Sequence, residues 1–419
     1  MTKFFFHAPL WLILVWSPAL RAQTCSQPDY YLQGQSDVEA LGAEACSHIT
    51  GYLKIRWEYI DNVDALSSIV SVGDYVEFVS TALTNIDGLA NLETIGSDLV
   101  ILNNVNLANV DGLSALTHVG NDVSLTDNPS LISVEGLSSL ASLRGLNFYN
   151  NPAVTTLPTF GSLTTLGYLA ISNMNGLSHV DGLSSVTASS WGGVSLNNND
   201  SLSNVDGLIG LTNVAGDVTV ANNSSLSGLD GLGNLSHVDG GLLIQSNPVL
   251  TDIDGLSNLS FAGSIDIYGN DSLTQIDGFA GLVFVGDLSI RSNGALQNID
   301  GFMGLDTISG YLLINSNQSL VNVDGLSELQ IISGALSIGH NYHLTNIDGL
   351  IMLTHVGGSL TLSSTQITDV DGLMGLQTVG EHLGLYNNYS LGDLDGHVLH
   401  RQRDRRQDDE GREEHTEGE

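Results

Sequence analysis

The stretch LTNIDGLANLETIGSDLVILNN, at residues 83–104, recurs with substitutions from near the N-terminus to Gly396. Its Asp-Gly-Leu triplet marks each copy, and successive triplets lie 23 to 25 residues apart. The acidic residue of the triplet is found at Asp87, Asp111, Glu135, Asp181, Asp206, Asp230, Asp254, Asp277, Asp300, Asp324, Asp348, Asp371 and Asp395, and Asp64 and Pro158 hold this place in two degenerate copies. A period of this length predicts a solenoid, in which each coil buries its apolar face only against its neighbours.

Each copy reads as a strand followed by a bend. Leu99 and Ile101 alternate with Val100 and Leu102, which predicts a strand whose first pair faces the core. The bend carries Asn104, and most other copies have an asparagine at the same place. These are Asn128, Asn151, Asn199, Asn223, Asn247, Asn270, Asn293, Asn317, Asn341 and Asn388. We expect a buried column of amides that satisfies the backbone groups exposed by the bend.

The recurring aspartate opens a segment that we predict to be a short helical or 3-10 turn, as in Asp111-Gly112-Leu113. An aspartate here favours an N-cap, whose carboxylate would accept the free N–H groups of the turn. The alternative is a ladder of calcium ions along the aspartate column. Because calcium needs several oxygen ligands per ion and the repeat offers one regular acid, we expect N-caps.

The full repeat is Leu-x-Ile-x-x-Asn-x-x-Leu-x-x-Val-Asp-Gly-Leu-x-x-Leu-x-x-Val-Gly. It resembles the leucine-rich-repeat class and, within that class, the receptor L-domain type of coil. The resemblance extends from Cys25 to Gly396 and implies an α/β solenoid, similar to a right-handed β-helix. About 15 coils of about 24 residues would occupy residues 51–396, with a parallel β-sheet on one face and short helical turns on the other. The family binds partners of many kinds through no shared ligand motif.

Residues 1–22 have the composition of a secretory signal peptide. Lys3 precedes an apolar segment that ends in small residues at Ala19 and Ala22. A membrane anchor is the alternative, but His7 and Pro9 interrupt the apolar run. We expect a secreted or cell-surface protein with no transmembrane segment in the mature chain.

Both cysteines, Cys25 and Cys46, lie within residues 23–50. Export to an oxidising compartment favours a disulfide between them, and two free thiols are the alternative. The intervening segment 35–41 reads as a capped helix. Receptor L-domain proteins are similar in having a cysteine-flanked cap before the first strand, so we expect residues 23–50 to seal the first coil.

The chain has 46 acidic and 11 basic residues, for a net charge of −35. Between Gln23 and Gly396 the only basic residues are Lys54, Arg56, Arg144 and Arg291. Such a field repels nucleic acid, so we expect none as a partner. We find no motif for a hydrolase, a metalloprotease, a redox pair or a phosphate loop, and we expect no catalytic site, cofactor or resident metal.

Two segments depart from the repeat. The longest spacing between triplets includes Trp191, which we interpret as a bulge whose ring covers the neighbouring coil, with a binding role as the weaker interpretation. Residues 397–419 have dense mixed charge and no apolar period, which predicts a disordered tail.

Most outward strand positions of the repeat are small or polar, as at Ser195 and Thr219. Against this background, five larger or charged residues are expected on neighbouring coils, and we select them as ligand-binding candidates. They are Asp266, Tyr268, Arg291, Tyr311 and Asn315. Tyrosine and arginine are the side chains that most often anchor interfaces. The alternative is that exposed tyrosines simply suit strands.

These features favour a non-enzymatic extracellular recognition module that binds a protein or carbohydrate ligand. One alternative is a structural, adhesive or matrix protein whose acidic surface binds cations. A further alternative is a solenoid enzyme acting on polysaccharide. Such a cleft usually needs arginine or lysine to stabilise developing charge, and this chain has very few.

Overall fold

The computed structural model describes residues 23–392. The proposed signal peptide at 1–22 and the proposed disordered tail at 397–419 lie outside the described residues and remain predictions. Within 23–392, each repeat forms one coil of a leucine-rich-repeat solenoid.

Each coil contains a strand of the main parallel sheet. These strands are Tyr30–Leu32, Leu53–Arg56, Val76–Val79, Leu99–Leu102, Asp122–Thr126, Gly145–Tyr149, Tyr168–Ser172, Val194–Asn197, Val218–Ala221, His237–Gln245, Phe261–Tyr268, Phe284–Arg291, Leu312–Asn315, Leu336–Gly339, Leu360–Ser363 and Leu383–Tyr386. Each pairs in parallel with the equivalent strand of the next coil, as in Leu99 opposite Val123. Leu99 and Ile101 are fully buried, as the alternating pattern predicts.

Most coils also contain a two-residue strand before the main one. Four of these form a separate sheet: His48–Ile49, Ser71–Val72, Thr94–Ile95 and His118–Val119. The others are Thr165–Leu166, Ala188–Ser189, Asn213–Val214, Thr307–Ile308, Ile331–Ile332, His355–Val356 and Thr378–Val379. In the three coils that contain His237–Gln245, Phe261–Tyr268 and Phe284–Arg291, the short and main strands are continuous.

Short 3-10 helices occupy the return side of most coils, as the repeat predicts. They are Asp64–Leu66, Asp87–Leu89, Asp111–Leu113, Glu135–Leu137, Asp181–Leu183, Asp206–Leu208, Asp230–Leu232, Asp254–Leu256, Asp300–Phe302, Asp324–Leu326, Asp348–Leu350 and Asp371–Leu373. Their leucine or phenylalanine residues are buried, and these columns together with the inward strand positions form one continuous core.

The aspartates do not cap these turns, so the N-cap prediction was wrong. Asp87 is the first residue of its turn, and Ile86 at the N-cap position provides no side-chain hydrogen bond. The side chain of Asn85 serves instead, because its Oδ1 accepts the Asp87 N–H at 3.1 Å. An asparagine or aspartate two residues before the turn repeats this bond in many coils, including Asn109, Asn204 and Asp252. In such an Asx turn, the side chain two residues before the 3-10 turn reaches the free N–H of the first residue of the turn. The carboxylate of that first residue, the aspartate, does not accept this N–H.

The asparagine column forms the predicted buried ladder. Asn128 is fully buried; its Oδ1 accepts the Asn104 N–H at 2.9 Å, and its Nδ2 donates to the Ile101 carbonyl at 3.0 Å. Each amide thus joins its own bend to the coil before it. The ladder is interrupted at Met174, whose Sδ accepts Asn151 Nδ2 at 3.7 Å, and it begins at Thr81, whose Oγ1 donates to Asn104. Asn388 in the last described coil is only half-buried.

Glycines recur because the coils stack closely. A Cβ on Gly112 would lie 2.1 Å from the Ile86 carbonyl oxygen, and one on Gly96 would lie 2.0 Å from the Gly73 oxygen. A backbone conformation with positive φ recurs at a different place in the coil. It is adopted by the residue just before each ladder asparagine, such as Asn103 with φ 57°. Asn, Asp, Ser or Gly fills most of these positions because short polar side chains tolerate the left-handed region.

The N-terminal segment contains the predicted helix, Gln35–Ala43, and the predicted disulfide. Asp37 accepts the N–H groups of Gln33 and Gly34 at 2.8 and 3.1 Å, which closes the first turn of the helix. Cys25 and Cys46 are bonded and buried, with their Cα atoms 5.0 Å apart. The disulfide prediction is confirmed. It closes the N-terminal segment on itself.

Trp191 does not cover the neighbouring coil, so that interpretation was wrong. Its side chain is 82% exposed, in the turn between Ala188–Ser189 and Val194–Asn197. The backbone N–H of Trp191 donates to the Gly167 carbonyl oxygen at 3.3 Å, so the backbone follows the adjacent coil while the indole projects away from it. The extra residue is absorbed by the turn, and the Ser189 Oγ closes it by donating to the Gly192 carbonyl at 2.8 Å.

Candidate functional site

The structure brings the five candidate residues together on neighbouring strands, on the outward face of the main sheet. Tyr268, Arg291 and Asn315 are directly opposite one another on adjacent strands. Asp266 lies two residues before Tyr268, and Tyr311 immediately precedes Leu312–Asn315. We call Asp266, Tyr268, Arg291, Tyr311 and Asn315 the Arg291 patch.

Arg291 is held in place from two sides. Its Nη2 donates to Asp266 Oδ2 at 2.8 Å and its Nε donates to Oδ1 at 3.3 Å, which is a two-pronged ion pair. Its guanidinium carbon also lies 4.6 Å from the centre of the Tyr268 ring. The hydrogen bond to Asp266 is the largest cause that raises the pKa of Arg291 above its ordinary value. The side chain is therefore oriented before any ligand arrives, and 42% of it remains exposed.

Tyr311 presents the most exposed ring of the patch, at 44%. Burial of its hydroxyl raises its pKa, and the nearby Asp287 and Asp266 raise it further. The hydroxyl is therefore neutral at physiological pH and can both donate and accept. Its backbone N–H donates to Asp287 Oδ1 at 2.9 Å, which fixes the turn that leads into the strand.

Asn315 lies at the margin of the patch. Its Oδ1 accepts a hydrogen bond from Ser316 Oγ at 2.6 Å, so part of its hydrogen-bonding capacity is already used. Ser289, which was not among the candidates, lies beneath the patch between Asp266 and Leu313 in the strand register. It is only 3% exposed, and its Oγ has no hydrogen-bond partner among the described residues.

A second cluster on the same face was missed by sequence reasoning. Tyr52 and Tyr75 stack with ring centres 5.1 Å apart, and Lys54 Nζ lies 4.8 and 5.0 Å from those centres. Arg56 forms an ion pair with Glu77 on the adjacent strand. Trp57 follows directly and is 49% exposed. We call Tyr52, Lys54, Arg56, Trp57, Tyr75 and Glu77 the N-terminal patch.

A sequence signal for this cluster did exist. Two of the four basic residues between Gln23 and Gly396 occupy the outward positions of one strand, Leu53–Arg56, with aromatic residues on both sides. The contacts across the strands could not be read from the sequence, because they depend on the register that places Lys54 opposite Glu77.

Among residues 23–392, no three His, Cys, Asp or Glu side chains are grouped closely enough to hold a metal ion. No helix in that part of the chain is long and apolar enough to cross a bilayer.

The family model of the Receptor L domain matches residues 45–140. These residues are therefore similar to a receptor L domain. The N-terminal patch lies within the matched residues, whereas the Arg291 patch lies in later coils that continue the same repeat and the same sheet.

Three solved structures are similar to the chain. An internalin from Listeria monocytogenes has 18% identity and a TM-score of 0.39, with 83% of this chain and 88% of the internalin covered. A leucine-rich-repeat protein from Leptospira interrogans has 16% identity and a TM-score of 0.37, with 77% and 89% covered. A leucine-rich-repeat protein from Bacteroides ovatus has 14% identity and a TM-score of 0.25, with 70% and 82% covered. No curated protein sequence matches the chain significantly.

Proposed function

We propose that the chain is an extracellular or cell-surface recognition module that binds a protein or glycan ligand without catalysing a reaction. Similarity to a receptor L domain and a disulfide-closed cap support a binding role outside the cell. The observation that carries the proposal is the Arg291 patch, where an arginine and two tyrosines form a preoriented cluster on the outward face of the sheet.

The patch has the properties of an interface anchor. Arginine and tyrosine contribute most to interface energies, and a side chain fixed before binding loses less conformational entropy on association. Because Asp266 neutralises the guanidinium, the patch offers directed hydrogen bonds rather than a strong field.

The experiment is a screen of the secreted chain, residues 23–419, against arrays of extracellular proteins and of glycans. Wild type is compared with Arg291→Ala and Tyr268→Ala, and Tyr389→Ala serves as the control, since Tyr389 is 90% exposed and lies outside the patch. We expect ligands that are retained by the control and weakened in both patch variants. Hits that all four proteins bind equally would place recognition elsewhere on the solenoid.

A second candidate function is structural, with the acidic column gathering cations at a cell surface. The pKa values of Asp254, Asp300 and Asp348 are raised by burial first and then by aspartates of neighbouring positions and coils. This crowding of like charge would be relieved by diffusely bound cations. A calcium titration tests it: a melting temperature that rises with calcium in wild type but not in Asp254→Asn would favour this candidate.

A further inference from the structure

We propose that the N-terminal patch and the Arg291 patch bind the same ligand, a linear and electrically neutral polysaccharide lying along the outward face of the sheet. This inference rests on the proposed recognition function and names its ligand class. It is carried by the chemistry that the two patches share.

In both patches the cations are already engaged within the protein. Arg291 is paired with Asp266 and lies over Tyr268, and Arg56 is paired with Glu77. Lys54 lies over two stacked tyrosine rings, with its Nζ 4.8 and 5.0 Å from their centres. Each patch therefore presents fixed donors and acceptors with little net charge, which suits the hydroxyl groups of a sugar.

The charge of the chain argues against a charged polymer. The net charge of −35 repels polyanions such as acidic polysaccharides and nucleic acids. A polycation would be attracted at long range, but at each patch the carboxylates of Glu77 and Asp266 are already paired with Arg56 and Arg291. A neutral polymer needs no charged partner in either patch.

Exposed aromatic rings complete both patches. Tyr311 and Trp57 are 44% and 49% exposed, and an amphipathic ring can pack against the C–H face of a sugar while hydrogen bonds form at its edge. Aliphatic or charged residues at these places would offer no such surface.

Trp57 supplies an independent observation. It has a φ of 88°, a left-handed conformation that is unfavourable for a bulky side chain. The equivalent residue in every other described coil is Asn, Asp, Ser, His or Gly, such as Ser80 in the next coil. Folding alone would favour one of those residues, so the strained tryptophan points to a role in binding.

The separation of the patches indicates a polymer. Ten strand-to-strand steps join Arg56 to Arg291 through the parallel register. At about 4.8 Å per step the patches are about 48 Å apart, so a small ligand cannot contact both. One sugar of an extended chain is about as long as the spacing between coils. The intervening outward positions include small residues, such as Ser172, Ser195 and Thr219, and the ring of Tyr149, which is 42% exposed.

The test is native gel electrophoresis of residues 23–419 through gels that contain a defined polysaccharide. The neutral probes are a mixed-linkage β-glucan, a xylan and a galactomannan, and the charged probes are polygalacturonate and chitosan. We expect at least one neutral polymer to retard the wild-type protein. Trp57→Asn and Tyr268→Ala should each weaken retention about tenfold, and the double variant should abolish it, because two linked sites bind a polymer with avidity. Tyr389→Ala is the matched control and should behave as wild type.

Short oligosaccharides of the same polymer give the complementary result. They should bind weakly, and Tyr268→Ala should leave binding at the N-terminal patch unchanged, since they cannot span the two patches. Retention by charged polymers alone, or by none, would overturn the inference. If a protein ligand were then lost on Arg291→Ala, the proposed recognition function would still stand. Retention that both patch variants leave unchanged would contradict the inference and would place polysaccharide recognition elsewhere on the solenoid.

Thermal unfolding of Trp57→Asn distinguishes a binding role of Trp57 from a structural role. Asparagine is better suited to the left-handed conformation, so the variant should melt at a higher temperature while its polysaccharide retention falls. A lower melting temperature would show that the ring is needed for folding, and would remove the observation that assigns Trp57 to the ligand.

Discussion

The asparagine ladder should contribute strongly to stability, and Asn247 tests this in the middle of the solenoid. Asn247 is fully buried. Its Oδ1 accepts the Asn223 N–H at 3.0 Å, and its Nδ2 donates to the Val220 carbonyl at 2.9 Å. Replacement by alanine leaves the Asn223 N–H without an acceptor in a dry core and removes one hydrogen bond to the Val220 carbonyl, which also lies in the parallel ladder. The unsatisfied N–H costs about 1–3 kcal/mol and the lost bond about 1 kcal/mol, so Asn247→Ala should lower the free energy of unfolding by about 2–4 kcal/mol.

The assay is guanidinium unfolding followed by circular dichroism, together with hydrogen exchange at the Asn223 amide. Asn213→Ala is the matched control, because Asn213 is exposed and should contribute less than about 0.5 kcal/mol. In Asn247→Ala we expect the Asn223 amide to lose protection before amides of distant coils, since each coil is stabilised mainly by its neighbours. A loss below about 1 kcal/mol with unchanged exchange at Asn223 would refute the reasoning.

A second variant separates the donor from the acceptor. Asn247→Asp keeps an oxygen for the Asn223 N–H but loses the donor to the Val220 carbonyl and buries a carboxylate. It should be less stable than Asn247→Ala at neutral pH and regain stability in acid, where the carboxyl is protonated. Identical pH profiles for the two variants would contradict this explanation.

Three further predictions concern the cap, the turns and the acidic column. Reduction of the Cys25–Cys46 disulfide, which closes a loop of sequence separation 21, should lower the free energy of unfolding by about 3 kcal/mol, and equal melting temperatures before and after reduction would contradict this. Asn85→Ala should cost about 1 kcal/mol because the Asp87 N–H loses its acceptor, whereas Asp87→Ala should cost less than about 0.5 kcal/mol; the reverse order in thermal unfolding would restore the aspartate as the cap. The pKa of Asp254 is raised by burial and by neighbouring carboxylates, so between its ordinary value of 3.8 and its raised value the folded state binds more protons than the unfolded state. Stability attributable to this group therefore falls as the pH rises through that window, and Asp254→Asn should melt higher than wild type at pH 7 in low salt, with the difference vanishing below pH 3.8 and shrinking in high salt. A variant that melts lower at pH 7 would show that the carboxylate has a stabilising partner.

Sequence reasoning recovered the features that follow directly from the strict repeat. Leu99 and Ile101 face the core and Asn104 joins the buried ladder because a fixed period returns each position to the same place in every coil. The Cys25–Cys46 disulfide was also predictable, since two cysteines beside a predicted export signal leave one pairing.

Features that depend on the exact path of the backbone were not predictable. Asn85, rather than Asp87, satisfies the turn because a difference of two residues decides which oxygen reaches the N–H. Trp191 was expected to lie on its neighbour and instead projects into solvent, because the turn takes up the inserted residue without directing the ring inward.

The candidate site was predictable as a location but not as an arrangement. Alternation placed Tyr268 and Arg291 on the outward face, whereas the ion pair to Asp266 and the burial of Ser289 depend on rotamers chosen across two strands. The N-terminal patch was missed because its members are distributed over two coils and become a cluster only when Lys54 and Glu77 are paired in register.

The most direct test of the recognition function is the dissociation constant of an array hit for wild type, Arg291→Ala and Arg291→Lys, measured by calorimetric titration. Lysine keeps the charge but cannot form the two-pronged bond to Asp266. We predict that both variants bind more weakly by at least about 1 kcal/mol, or roughly fivefold, with melting temperatures like that of wild type. Unchanged dissociation constants in both variants would contradict the central claim that the ligand contacts the Arg291 patch.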